Sequence, residues 1–306
     1  MYSVGQLTPL TANNTGIPYW YVRKSSDNGL NWSTVDLYQY AAGQWVNPTG
    51  FAADDLGHIY VAGWGREAPK KKNEWSGPLH WLVRKSADGG QTWTLADDLP
   101  GPAASFGAGG AGFVPGVGLF VVGDEFATGS SSWRVRRSVN GEPGTWATVD
   151  GPIARGAAAG VGSDSQGNIY VVGTMFVTLT AKPLTGYDAW VTCKSSDGGN
   201  TWSTVDSFTF AQNKGADANG IGRNSAGNVV VVGRASDAQG KSHWLVRTPD
   251  SSGVWQTVDD FQLAPGYWAS DSGVNTDAAG NLLVAGAASD TAGGHWIVRR
   301  LAAPIP

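Results

Sequence analysis

The side chains able to do chemistry fall into two groups: those that recur with a fixed period and those that do not. The non-recurring acids include Glu67, Glu74, Asp124, Glu125, Asp188, Asp217, Asp237 and Asp271. Two carboxylates facing each other across a cleft can cleave a glycosidic bond, one as general acid and one as base or nucleophile. Spacing singles out no pair among them. The non-recurring guanidinium groups are Arg66, Arg155, Arg223 and Arg234. A planar guanidinium grips a carboxylate through two parallel hydrogen bonds, so a converging set would hold an acidic ligand. Three of the His residues, His80, His243 and His295, directly precede a recurring Trp and are therefore expected in the scaffold. His58 lies in a short turn. No spacing suits a metal site, and the single Cys193 excludes a thiolate zinc site and an internal disulfide framework. No nucleophile-elbow motif is present. Neither a metal nor a cofactor is expected.

A repeat positions these residues. Trp20-Tyr21-Val22-Arg23-Lys24-Ser25 recurs from Trp81, Trp133, Trp190, Trp244 and Trp296, and these leading Trp residues are 61, 52, 57, 54 and 52 residues apart. That period holds four short strands with their turns, the size of one propeller blade. In each unit the Trp-led strand is followed by a Gly-rich turn and then by Trp-x-Thr-Val-Asp, as at 202–206. A longer loop comes next, then a short strand, a Gly-Asn turn and a β-branched run such as Val229-Val230-Val231-Val232. No segment has a helical period.

The turn segment resembles the Asp-box, or BNR repeat, of bacterial sialidases and related propellers. Residues 86–93 and 195–202 carry Ser-x-Asp-x-Gly-x-Thr-Trp in full; residues 25–32 have Asn31 in place of Thr. Residues 138–146 hold an extra residue and Asn140 for Asp, and residues 248–255 are degraded. The resemblance covers nearly the whole chain. It implies an all-β fold, a β-propeller of four-stranded antiparallel blades in one domain spanning 1–306. The box then lies in the hairpin between the third and fourth strands, where its Asp bonds its own turn and is structural rather than catalytic. The resemblance also implies an extracytoplasmic or secreted protein, although residues 1–5 do not read as a signal peptide. A sialidase holds its substrate carboxylate with an Arg trio, and it needs an acid/base carboxylate and a Tyr activated by Glu. If this chain is such an enzyme, Arg66, Arg155 and Arg234 are the trio, with Glu125 and Asp271 as carboxylates. The Phe/Tyr-Arg-Ile-Pro segment of sialidases is missing: Thr15-Gly16-Ile17-Pro18 keeps only its last two residues.

With strands lettered a to d and the box between c and d, the chain begins on a strand b and ends on a strand c. That makes 22 strands: six blades, incomplete at the chain ends, with five blades as the alternative. Unpaired edges invite pairing in trans, so a homo-oligomer through the terminal strands is expected.

The a–b and c–d turns open on one edge of each blade, and the longer, dissimilar b–c and d–a loops open on the other. Long loops on a rigid scaffold carry function. Of 15 Trp, the four outside the repeat pattern, Trp45, Trp64, Trp75 and Trp268, are expected in those loops, with Tyr187 and Tyr267 beside them. Exposed aromatics suit the apolar faces of sugars, so these are the ligand-binding candidates, for a carbohydrate or protein ligand. Charged residues are 15% of the chain and net charge is −4, which argues against nucleic acid. No run of 18 apolar residues spans a membrane.

Overall fold

The computed structural model describes residues 1–9, 16–71, 77–101, 105–127, 130–149, 153, 155–277 and 281–301. All regular structure among them is β. The chain divides into two compact units, Met1–Asp150 and Gly151–Pro306.

The first unit holds three antiparallel sheets. They are β1 (Tyr2–Leu7), β2 (Tyr19–Lys24) and β3 (Ser33–Tyr38); β4 (Val46–Ala53), β5 (Ile59–Arg66), β6 (Leu79–Ser86) and β7 (Thr94–Pro100); and β8 (Ser105–Val114), β9 (Gly118–Ala127), β10 (Ser130–Ser138) and β11 (Ala147–Thr148). The second unit holds three more. They are β12 (Gly156–Ser163), β13 (Ile169–Ala181), β14 (Leu184–Ser195) and β15 (Ser203–Phe208); β16 (Ala216–Arg223), β17 (Val229–Ser236), β18 (Ser242–Pro249) and β19 (Trp255–Phe261); and β20 (Ala269–Thr276), β21 (Leu282–Asp290) and β22 (Gly293–Leu301). Within every sheet, strands adjacent in sequence are adjacent in space. These are the blades of a β-propeller, and there are six of them, of three or four strands each.

Two devices in the repeat make neighbouring blades fit. The first is steric. The leading Trp of strand c is buried at Trp20, Trp81, Trp133, Trp190 and Trp244. Trp20 and Trp190 lie over a glycine of the next blade's strand b. A Cβ at Gly63 would come within 2.8 Å of the Trp20 ring, and one at Gly233 within 2.3 Å of Trp190. Those same glycines face the backbone of strand a, where the register shifts by one residue, as between Pro48 and Gly50 and between Ala218 and Gly220. A bulge there bends strand a around the close approach.

The second device is electrostatic. The Arg that follows the Trp-x-Val motif reaches the last residue of the preceding blade's Trp-x-Thr-Val-Asp strand. Arg84 donates two hydrogen bonds to Asp36 (2.8 and 2.9 Å), Arg136 two to Asp97 (2.5 and 2.7 Å) and Arg247 two to Asp206 (2.8 and 2.9 Å). Arg299 also donates two hydrogen bonds to Asp259, through Nη1 and Nη2. An aromatic of strand d covers the guanidinium: Arg84 stands 3.9 Å from the Tyr38 ring centre and Arg247 3.9 Å from that of Phe208. The recurring Arg residues are thus scaffold. At Cys193 the series is broken, and burial pushes that thiol up to about 11.

The Ser-x-Asp hairpins are closed by their own side chains. Ser25, Ser86 and Ser195 Oγ each accept the N–H of a glycine four residues on, at 2.8 Å. Asp27, Asp88 and Asp197 accept the N–H of Asn31, Thr92 and Thr201, and bonds from those residues hold the three carboxyls at about 2. At the two central positions the backbone takes positive φ, 71° and 93° at Gly89 and Gly90, which glycine adopts without strain.

Replacing Arg84 by Met leaves the Asp36 carboxylate buried and unpaired. Urea denaturation of Arg84→Met is expected to show a loss of about 3–5 kcal/mol, much of it recovered when Asp36→Asn is added.

Candidate functional site

In the second unit, the long-loop edge of the blades holds a cavity of about 370 Å³ lined by Tyr187, Asp188, Gly215, Asp217, Arg234, Ser236 and Ser242. Several elements converge on it. The β13–β14 hairpin runs well past its blade, with Phe176 opposite Asp188 and Val177 opposite Tyr187, and so carries both lining residues out as an arm. Asp217 on β16 and Arg234 on β17 are cross-strand neighbours, and Arg234 Nε donates to Asp217 Oδ2 at 2.6 Å. The Ser236 N–H donates to Gly215 O at 2.9 Å, and Ser242 Oγ donates to Ala269 O at 2.9 Å, which ties this edge to β20. Partial burial and the charge of Asp217 push the Asp188 carboxyl up.

Electrostatically coupled to this pair lies Asp271, on β20. Its residue in the repeat is Pro48, Ala108, Ala158 or Ala218 in the four-stranded blades, each set opposite the strand-b glycine. Asp271 is 5% exposed; Oδ1 accepts a bond from Asn219 Nδ2 at 2.9 Å, whereas Oδ2 is buried with no partner among the described residues. Burial raises the carboxyl to about 6. The Asn219 bond and Arg234 oppose that rise, and Asp217 adds to it. Asp271 therefore exchanges its proton near neutrality while Asp217 is held beside a guanidinium.

Of the residues chosen from sequence, Tyr187 and Arg234 line this cavity, and Asp271 interacts with Arg234. Tyr267 and Trp268 lie in the β19–β20 loop of the same unit, 37% and 46% exposed. Arg155 is engaged elsewhere: its backbone has φ of 61°, Nη1 donates to Thr178 Oγ1 at 2.8 Å, and the guanidinium lies 4.9 Å from the Phe176 ring centre. In the first unit, Arg66 ends β5 and donates to Gly77 O at 3.2 Å. Glu125 lies in β9, rather than in a loop, and is bonded to Arg134. Trp45 is 48% exposed in the β3–β4 loop. Trp64, expected in a loop, sits inside β5 opposite Trp81 and packs on the blade core, because β5 stays paired to β6 as far as Arg66. Tyr187 is likewise in a strand. Trp75 and Glu74 lie outside the described residues. Sequence reasoning missed Asn219 as well as the Asp217–Arg234 pairing. Asp271 carried a readable signal: an acid where the other blades keep alanine or proline.

The His residues form clasps. His80, 5% exposed, has Nδ1 at 2.5 Å from Asp98 Oδ1 and Nε2 at 2.8 Å from Glu67 Oε1, while Tyr40 stacks on its ring and donates to Asp98 Oδ2 at 2.9 Å. In the second unit His243 repeats the motif with Asp260, Asp237 and Phe210. Each clasp pins the start of a b–c loop to the end of strand d. Among the described residues no group of three or more His, Cys, Asp or Glu is placed to hold a metal ion.

No known protein family and no curated protein matches the chain by sequence. Solved structures do match it. A Hadza microbial sialidase aligns at 14% identity and TM-score 0.58, covering 88% of this chain and 57% of that one. The α-L-arabinofuranosidase of Fusarium graminearum, in complex with arabinobiose, aligns at 12% and 0.56, covering 98% and 89%. An ulvan lyase of the polysaccharide lyases aligns at 13% and 0.58, covering 93% and 70%. At such identities the likeness is one of fold.

Because Asp271 holds its proton more tightly when folded (about 6) than at its ordinary 3.8, folding stability falls as pH rises from 4 through 6. Above that range the deficit is about 3 kcal/mol. Asp271→Asn keeps the acceptor for Asn219 and removes the charge. It is expected to outlast the parent in urea at pH 8 and to match it at pH 4.

Proposed function

We propose that the chain is an extracytoplasmic, sialidase-like propeller whose Ser-x-Asp hairpins are Asp-boxes, and that it binds carbohydrate at the long-loop edge of its second unit. The observation that carries this is the cavity itself. It combines a Tyr ring, an ion-paired guanidinium, carboxylates and serine hydroxyls, and the same unit holds the exposed Tyr267 and Trp268 on its loop edge. A sugar needs that mixture: acceptors and donors for its hydroxyls, flat rings for its apolar faces. The sugar-processing structures that share the fold support the reading.

A second reading, glycoside hydrolysis at the same cavity, is favoured by one observation: Asp271 is a buried carboxylic acid near 6 whose charge interacts with that of Asp217. A carboxylic acid raised to about 6 keeps a proton to donate at mildly acidic pH, as a general acid must. A glycan array tests both readings. Binding is expected to fall about tenfold in Trp268→Ala and in Arg234→Ala, as befits loss of an anchoring aromatic or guanidinium. Hydrolysis of the bound glycan would lose its rate in Asp271→Asn with the affinity kept. Absence of any glycan hit, with a protein captured by the same edge instead, would replace carbohydrate by a protein ligand.

Self-association is proposed through β22, with a second copy of the chain as occupant. Its outward face leaves Trp296 81% and Val298 66% exposed, whereas Trp20 and Trp190, at the same repeat position as Trp296, are fully buried against the next blade. Sedimentation is expected to show a mass that grows with concentration and reverts to that of a monomer in Trp296→Gln. A single mass at every concentration would end the idea.

A further inference from the structure

A second cavity lies at the opposite edge of the second unit, among the a–b turns and c–d hairpins, and it is independent of the site above. It measures about 310 Å³, within the size range of small-molecule sites. Its origin is legible in the repeat. In strand c a Lys follows the recurring Arg position, and it faces a Tyr of strand b: Lys24 with Tyr2, Lys85 with Tyr60, Lys194 with Tyr170. In the first unit both side chains of each pair grip one backbone carbonyl at the tip of the next blade's hairpin. Lys24 Nζ and Tyr2 OH donate to Gly89 O at 2.8 and 2.9 Å. Lys85 Nζ and Tyr60 OH approach Asn140 O at 3.5 and 3.3 Å, and Lys85 adds Glu142 at 2.5 Å.

At Lys194 that carbonyl is missing. The hairpin it faces is the degraded one, Thr248-Pro249-Asp250-Ser251-Ser252-Gly253-Val254-Trp255. The hairpins at 25–32, 86–93 and 195–202 take positive φ at two successive central residues, and Ser251 and Ser252 occupy those places without adopting it; in 248–255 only Gly253 does, at 85°. A serine in the left-handed region is strained, so the turn closes differently. Gly253 N–H donates to Asp250 O at 2.9 Å, and Thr248 Oγ1 turns away to donate to Val229 O at 2.7 Å. The Lys194 ammonium is left 5.6 Å from the Tyr170 ring centre, with no hydrogen bond or ion pair among the described residues. Neither of the two carboxylates in the lining is ion-paired to it. Asp164 is saturated by the Gln166 and Asn168 N–H groups, Asn168 Nδ2 and Tyr170 OH. Asp250 is held by the Ser252 and Val254 N–H groups and by Ser252 Oγ. The half-buried Trp255 stands at the other side, its ring centre 6.5 Å from that of Tyr170.

The geometry points to a binding site for an acidic sugar, whose carboxylate takes the place of the absent carbonyl on Lys194 and whose ring lies against Trp255. A carboxylate oxygen presents the acceptor that Lys24 and Lys85 already engage, with a full charge added, and the bond is stronger for it. The cavity's polar rim, including Gln166 and Ser251, faces the hydroxyls.

The test is an NMR titration of the backbone amides with sodium D-glucuronate, D-glucose and N-acetylglycine. Glucuronate is expected to give saturable shifts at Lys194 and across residues 250–255. Lys194→Gln is expected to weaken the binding at least about tenfold, the loss of one charge-assisted bond. The triple variant Thr248→Ser, Ser251→Gly, Ser252→Gly restores the two-glycine hairpin, returns a carbonyl to Lys194 and abolishes the shifts while the spectrum stays dispersed. Glucose and N-acetylglycine, each lacking half of the recognised chemistry, bind more weakly. The proposal is overturned if glucuronate gives no saturable shift, if Lys194→Gln binds it unchanged, or if either control ligand matches it.

Discussion

The buried pair of a guanidinium with a carboxylate, reaching from strand c of one blade to strand d of the one before, is the constraint from which much else follows. Arg84 and Asp36 are each less than a tenth exposed, and neither could be desolvated alone. The pair therefore fixes a distance and an angle between consecutive sheets within each unit. An aromatic covers three of the four pairs, Tyr38, Phe208 and Phe261 at the ends of β3, β15 and β19, and Leu99 takes that place beside Asp97. The strand-c Trp sits three residues earlier on the same strand and needs the glycine window of its neighbour. One residue position thus dictates an Asp, an aromatic, a Trp and a Gly elsewhere in the period.

That interlocking explains how much of the fold was legible. The repeat favours six blades over five and 22 strands, starting on a strand b and ending on a strand c, and six blades with 22 strands are found among the described residues. Where reading failed, pairing ran on past the recognisable pattern. Trp64 follows the strand-b glycine, the point at which the repeat stops being recognisable, yet β5 continues to Arg66. Tyr187 belongs to a hairpin arm whose residues have no counterpart in other blades. Backbone hydrogen bonding extends such strands without any demand on side-chain type, so composition leaves no mark there.

The candidate site shows the complementary case. Asp217 and Arg234 meet because a bulge shifts β16 by one residue against β17, and a register shift has no sequence signature of its own. Asp271 is different. Its position is alanine in three blades and proline in one, so an acid there breaks the pattern visibly. The same comparison separates the lysines: Lys24 and Lys85 spend their charge on the next hairpin, and two serines where glycines belong release Lys194 from that duty. In both places the informative residue is the one that departs from the period.

The bulge in strand a has one more consequence. Its extra residue does not pair within its own blade; it reaches into the neighbour, as Thr49 does when it donates to Ala108 O at 2.5 Å. In β16 that residue is Asn219, and what it touches is the titrating carboxylate of Asp271. A charged acceptor pulls harder on an amide than a neutral one. The inserted residue is thus a tie between neighbouring blades, and in β16 that tie ends on a carboxylate which burial raises to about 6.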